Sequence, residues 1–120
     1  MKMYQKLIEL LRVPHGSAGL PQEHNVRNYI KRHIPNINED AHGNLYLINK
    51  WTPLFCAHMD NVWSTEAQKH LHKVSMVNNI IKWTHNIWAD DKVGIFIAME
   101  MYRRFGDKVS LLFTIGEETW

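Results

Sequence analysis

The stretch Leu54-Phe55-Cys56-Ala57-His58-Met59-Asp60-Asn61-Val62 decides how this chain is read. A short apolar run of strand length ends abruptly in a histidine and a carboxylate, so chemistry begins where the strand stops. Residues two apart on an extended chain point to the same side. His58 and Asp60 can therefore act together, the acid holding the imidazole by its other ring nitrogen, as the support of a metal ligand does.

Two later segments repeat the pattern. Ile87-Trp88-Ala89-Asp90-Asp91-Lys92 runs from apolar residues into paired acids, and Leu111-Leu112-Phe113-Thr114-Ile115-Gly116-Glu117-Glu118 does so again. Each cluster alone has a plain structural explanation. Asp90 and Asp91 suit a helix N-terminus, where the dipole favours negative charge, and a glutamate pair after a strand is often only solvated. It is their joint order along the chain that points to metal chemistry.

In that order the motifs Ala57-His58-Met59-Asp60-Asn61-Val62, Ala89-Asp90-Asp91-Lys92-Val93-Gly94 and Phe113-Thr114-Ile115-Gly116-Glu117-Glu118 resemble the cocatalytic zinc peptidases, the family that includes tripeptidase T, the carnosinase-like dipeptidases and their deacylase relatives. The resemblance implies that His58 binds one metal, Asp90 bridges two, Glu118 binds the second, Asp60 orients His58 and Glu117 is the general base. Asp40, Gly43 and Asn44 also match the Asp-x-x-Gly-Asn turn that precedes the histidine strand in this family. Members continue beyond the glutamate pair and add another acidic ligand and a final histidine, whereas this chain stops at Trp120. The expectation is therefore a truncated zinc-exopeptidase catalytic domain in which each metal is short of a protein ligand.

Composition sets the outer limits. With 120 residues, 45% of them hydrophobic, the chain has the size of one small globular domain spanning 1–120. A formal charge of +2 is too mild to argue for nucleic acid, and no block of like charges forms a basic stripe. The first residues do not read as a signal peptide and no apolar run approaches membrane-spanning length, so a cytoplasmic protein without a membrane partner is expected. Cys56 is the single cysteine, which rules out an internal disulfide, and its apolar strand suggests a buried thiol.

Periodicity supplies the elements. Tyr4, Leu7, Ile8 and Leu11 recur at helical spacing up to Pro14, and a second helix follows from about Pro21 to His33 with Val26, Tyr29 and Ile30 inward. A short strand over Ile37 to Glu39 pairs, across the turn Ala41 to Asn44, with Leu45 to Ile48. Asn78-Asn79 splits two apolar runs as a hairpin turn should. Asp91 to Phe105 reads as a largely buried helix, and Val109 to Ile115 as a central strand covered on both faces. The sum is an α/β fold, a three-layer α/β/α arrangement with one mixed central sheet.

A pair of divalent ions polarises a carbonyl and lowers the pKa of a shared water, which needs a carboxylate between the ions and a second carboxylate left free as base. Asp90 suits the first role and Glu117 the second; histidine with carboxylates suits zinc, with manganese or cobalt also compatible. The expected substrate is a short peptide or N-acyl amino acid, cleaved as by an aminopeptidase or di- or tripeptidase. The competing reading is a non-catalytic or partner-dependent module that keeps the motifs. His15, His24, His33, His42 and His85 read as surface residues, and the His70-x-His72 pair as a surface loop with a metal-compatible spacing. Trp63 and Trp120 lie nearest the motifs. An exposed edge on the Val109–Ile115 strand would favour a homo-oligomer or a complementing chain that brings the missing ligands.

Overall fold

The computed structural model describes residues 2–14, 23–60, 73–82 and 89–116. Helix α1 (Met3–Leu11) is closed at Arg12, whose N–H reaches the Ile8 carbonyl, two residues before Pro14. Helix α2 (Glu23–His33) leads into a hairpin of β1 (Asn38–Glu39) and β2 (Leu45–Leu47). Strand β3 (Leu54–His58) follows, then a separate hairpin of β4 (Ser75–Val77) and β5 (Ile80–Lys82). Asn78 and Asn79 take positive φ between these two strands, as the expected turn requires. Helix α3 (Ala89–Phe105), a 3-10 turn over Gly106–Lys108 and strand β6 (Ser110–Thr114) are the last elements among the described residues.

The main sheet has the order β1-β2-β6-β3. β2 runs antiparallel to β6 and β3 parallel to it, so the sheet is mixed as expected. Register decides which side is core. Leu45 pairs with Phe113, Leu47 with Leu111, and across the other seam Phe55 pairs with Leu111 and Ala57 with Phe113. Directly paired residues share a face. That face packs against Leu10 of α1, Val26 and Ile30 of α2, and Ile95 and Ala98 of α3 in one cluster.

The opposite face carries Tyr46, Ile48, Leu54 and Cys56, all exposed. Thus the α/β class and the mixed sheet hold, while the described helices all feed a core on one side. Cys56 is correspondingly exposed rather than buried, because the period-2 alternation of β3 sends Phe55 and Ala57 to the core and Cys56 the other way. α3 too is less buried than its composition suggests, because the helical repeat turns only one side to the core: Ile95 and Ala98 are buried in it, whereas Val93 and Ile97 are 38% and 46% exposed.

β6 also departs from expectation. Its edge is not free, since β2 and β3 flank it on either side, and among the described strands the sheet's edges are β1 and β3. Fully buried Leu111 and Phe113 make it the sheet's central strand. No helix among the described residues is long and apolar enough to cross a membrane.

Candidate metal site

Parallel pairing of β3 with β6 brings both strand ends to one side of the sheet. His58 lies opposite Thr114, and the chain continues from His58 into Met59 with its N–H held by the Thr114 carbonyl at 2.7 Å. The next element to reach this end is the start of α3. Asp90 and Asp91 have non-helical backbone angles there, and their shared peptide bond is cis. His58 and Asp90, remote in sequence, meet directly: Nε2 lies 3.0 Å from Asp90 Oδ1. His58 is half-buried, and the Asp90 side chain is 83% exposed.

The other ring nitrogen of His58 is held, though not by the group expected. Nδ1 lies 2.9 Å from the backbone carbonyl of Asp60, while the Asp60 carboxylate is 3.8 Å away. Asp60 is buried and does support the ring, but its main-chain oxygen makes the hydrogen bond. Burial alone pulls the His58 pKa down. The Asp60 carbonyl, the Asp90 hydrogen bond and the charges of Asp91 and Asp90 outweigh it, and the net direction is upward. A protonated imidazole donates from both nitrogens, which fits an acceptor on each side.

Asp91 does more than cap α3. Its Oδ1 accepts the Gly94 N–H at 3.1 Å, and its Oδ2 accepts the His58 N–H at 3.3 Å, so one carboxylate ties the helix start to the end of β3. Gly94 is required by this arrangement, since a Cβ there would overlap the Asp91 carboxylate. Lys92, the next residue, was not singled out by its sequence context. It is 2% exposed, and its Nζ donates to the Leu11 carbonyl at 3.1 Å and to the Val13 carbonyl, closing the C-terminal end of α1. Burial pushes its ammonium down to about 7.

The Asp40–Asn44 turn reaches the same end of the sheet. Asp40 accepts from the N–H groups of His42 and Asn44 and from the Asn44 amide, the last of these being the main cause that holds its carboxyl below the usual range. The Asn44 side-chain oxygen then accepts the Ile115 N–H at 2.9 Å, directly after β6. Gly43 sits at φ +94 against the Arg27 guanidinium, whose Nε donates to the Gly43 carbonyl at 2.9 Å. The turn thereby fixes where the chain leaves β6.

Glu117 and Glu118, His70 and His72, and Trp63 and Trp120 lie outside the described residues. Among the described residues no group of three possible ligands converges. Two donors do. Their separation of 3.0 Å is close to the roughly 3.3 Å that tetrahedral angles set between a nitrogen and an oxygen on one zinc ion. The imidazole–carboxylate pair thus fits a divalent ion in donor type and spacing.

No protein-family model and no curated protein sequence matches this chain. Solved structures do. A tripeptidase from Staphylococcus aureus subsp. aureus Mu50 is similar over 98% of this chain and 36% of its own, with TM-score 0.71 and 18% identity. An M20 family metallo-carboxypeptidase from Sulfolobus solfataricus is similar over 98% of this chain and 31% of its own, with TM-score 0.71 and 20% identity. The chain therefore has the fold of a part of these peptidases and spans about a third of their length.

Proposed function

We propose that this chain carries the metal-binding end of a metal-dependent exopeptidase, an aminopeptidase or di- or tripeptidase of the cocatalytic zinc group that its motifs resemble. The observation that supports this most is the approach of His58 Nε2 to Asp90 Oδ1 at 3.0 Å, at the one end of the sheet where β3, β6 and the start of α3 meet. A fold likeness to two peptidases agrees with it.

In this reading His58 and Asp90 hold divalent metal, with Asp90 as the bridging carboxylate and Glu118 as a ligand to the second ion. Zinc is the first choice and manganese or cobalt the alternatives, given nitrogen and oxygen donors. The bound ions would polarise the scissile carbonyl and acidify a water. Asp60 holds the imidazole through its main-chain oxygen, leaving Nε2 directed at the site. Glu117 takes the water's proton and passes it to the leaving amine, which needs a carboxylate beside the metals but not consumed by them. Substrates would be short peptides or N-acyl amino acids, in a cytoplasmic setting consistent with a single exposed cysteine.

A second reading is a non-catalytic module of the same lineage that works with a partner; only two donors converge among the described residues. A second copy or a complementing chain would then seat on the sheet face that exposes Ile48 and Leu54, 61% and 53% accessible. One set of measurements separates the readings. Zinc calorimetry on the parent, His58→Ala and Glu117→Gln, with dipeptide hydrolysis and light scattering alongside, should give metal bound by the parent and by Glu117→Gln but lost in His58→Ala. Turnover should disappear in Glu117→Gln. Zinc binding that survives His58→Ala would sink the site, and metal binding without any turnover in the parent would favour the module.

A further inference from the structure

On the outer side of the helices, between α1, α2 and α3, lies a cavity of about 340 Å³. That volume falls at the small end of pockets that hold organic ligands. Its floor is apolar, made by Leu10, Ile34, Phe96 and Met99. It is remote from the site at His58: the residues of α3 that line it, Phe96 to Arg103, extend to thirteen residues beyond Asp90, which the helical rise converts to roughly 10–20 Å along the axis.

Two polar groups here have no use in the fold. Tyr29 lines the cavity, is only 5% exposed, and its hydroxyl makes no hydrogen bond among the described residues. Buried polar groups are normally paired, so a phenol without a partner beside an empty volume invites one. Its ring is fixed, packed against His33 at 4.3 Å between centroids. Burial, with the Glu9 carboxylate next and Glu100 adding to it against Arg32, pushes the phenol up to about 12, so it stays neutral and keeps both a lone pair and an O–H.

Glu9 is the second group. Four charges ring the mouth, Lys6, Glu9, Glu100 and Arg103. Glu100 takes both cations, Arg103 at 2.9 Å and Lys6 at 3.8 Å. Glu9, exposed on α1, has no ion pair or hydrogen bond among the described residues, lines the same cavity as Tyr29, and its charge helps to raise the Tyr29 pKa. An anionic ligand would meet this carboxylate and find the cations already engaged. A neutral one would gain nothing from it, whereas a cation would pair with it.

We propose that this cavity binds an organic ammonium with an apolar body, the ammonium set between the Glu9 carboxylate and the Tyr29 phenol oxygen and the body on the floor formed by Leu10, Phe96 and Met99. The proposal stands independently of the metal site. A free amine and the N-terminus of a peptide with a hydrophobic first residue share this chemistry, and the probes below distinguish them.

The test is a titration of the full chain, labelled with nitrogen-15, with 2-phenylethylammonium, the tripeptide amide Phe-Gly-Gly, and 2-phenylethanol as the neutral control. Expected are saturable amide shifts confined to α1, α2 and α3 for at least one of the cationic probes, and an affinity for 2-phenylethanol at least tenfold weaker. Binding of the amine alone identifies a free amine as the ligand, and binding of the tripeptide alone a peptide N-terminus. Glu9→Gln, a surface change, should bring the amine to the level of the alcohol; Tyr29→Phe should weaken it severalfold while leaving the fold intact. Equal affinity for amine and alcohol, unchanged binding in Glu9→Gln, or shifts centred elsewhere would overturn the proposal, as would the absence of saturation by either cation at tens of millimolar.

Discussion

Lys92 provides a sharp test of how the start of α3 is held. Its amine is buried and faces two main-chain carbonyls at the end of α1, with no carboxylate partner among the described residues. A neutral amine keeps two N–H donors, enough for both carbonyls, so releasing the proton removes a buried charge without breaking the contact. With a folded value of about 7 against 10.5 unfolded, the unfolded chain binds more protons between these limits. Stability must therefore rise with pH across that window, by as much as about 2.5 kcal/mol between pH 6 and 9. The two carbonyls also favour the ammonium, which trims the expected gain to about 1–2 kcal/mol.

His58 titrates in an overlapping window with the opposite sign, so the parent's pH profile alone does not isolate the lysine. The difference between the parent and Lys92→Met does. Urea unfolding of both chains at pH 6 and pH 9, with chelator present, should show the parent gaining stability relative to the variant as pH rises. A lysine-selective carbon titration of the parent reports the same group should the methionine chain prove too unstable for a baseline. Identical pH responses of the two proteins, or a lysine titrating near its ordinary value, would refute the assignment.

Four further outcomes are expected. Gly94→Ala drives a methyl into the Asp91 carboxylate and should cost about 1–3 kcal/mol in urea unfolding, while also weakening zinc binding through the lost tie to the His58 N–H; an unperturbed variant would mean that the carboxylate is free to move. The raised His58 pKa contributes stability that is fully present below its unfolded value and lost as pH rises through the folded one, so His58→Asn should lose that low-pH increment in chelated samples. Zinc binding by the parent should release a proton near neutral pH, detected as buffer-dependent calorimetric heat. Asn44→Ala removes the acceptor of the Ile115 N–H and a donor to Asp40, and should speed hydrogen exchange at Ile115 while the core amides of Leu111 and Phe113 stay protected.

The candidate residues stand out in the sequence because apolar runs end in them. The apolar run that stops at His58 is β3, whereas the run before Asp90 lies outside the described residues up to the start of α3. The register that joins them was not legible, since β3 pairs in parallel with a strand more than fifty residues later. Apolar content alone does not mean cover on every side. Leu54 and Cys56 of β3, and Val93 and Ile97 of α3, are as hydrophobic as their buried neighbours, but only alternation and register tell which of them meets the core. Lys92 shows the converse. It shares the inward side of α3 with Ile95, three residues on, and that spacing was the available signal for a buried amine.

These contacts divide the labour at the site. The site does not rest on the donors alone, for Asp90, which meets His58 at 3.0 Å, is itself 83% exposed at its side chain. What holds the backbone is the pair of residues after it. Asp91 ties the helix start to β3 through the His58 and Gly94 N–H groups, and Lys92 ties it to α1 through the Leu11 and Val13 carbonyls. The turn from Asp40 to Asn44 does the same for the exit of β6 through Ile115. A metal arriving between His58 and Asp90 would then have to displace a proton and turn one exposed carboxylate, while the strand and helix ends stay where neighbouring polar contacts already keep them. The cost of ordering the backbone is met by folding, and only a side-chain adjustment is left to binding.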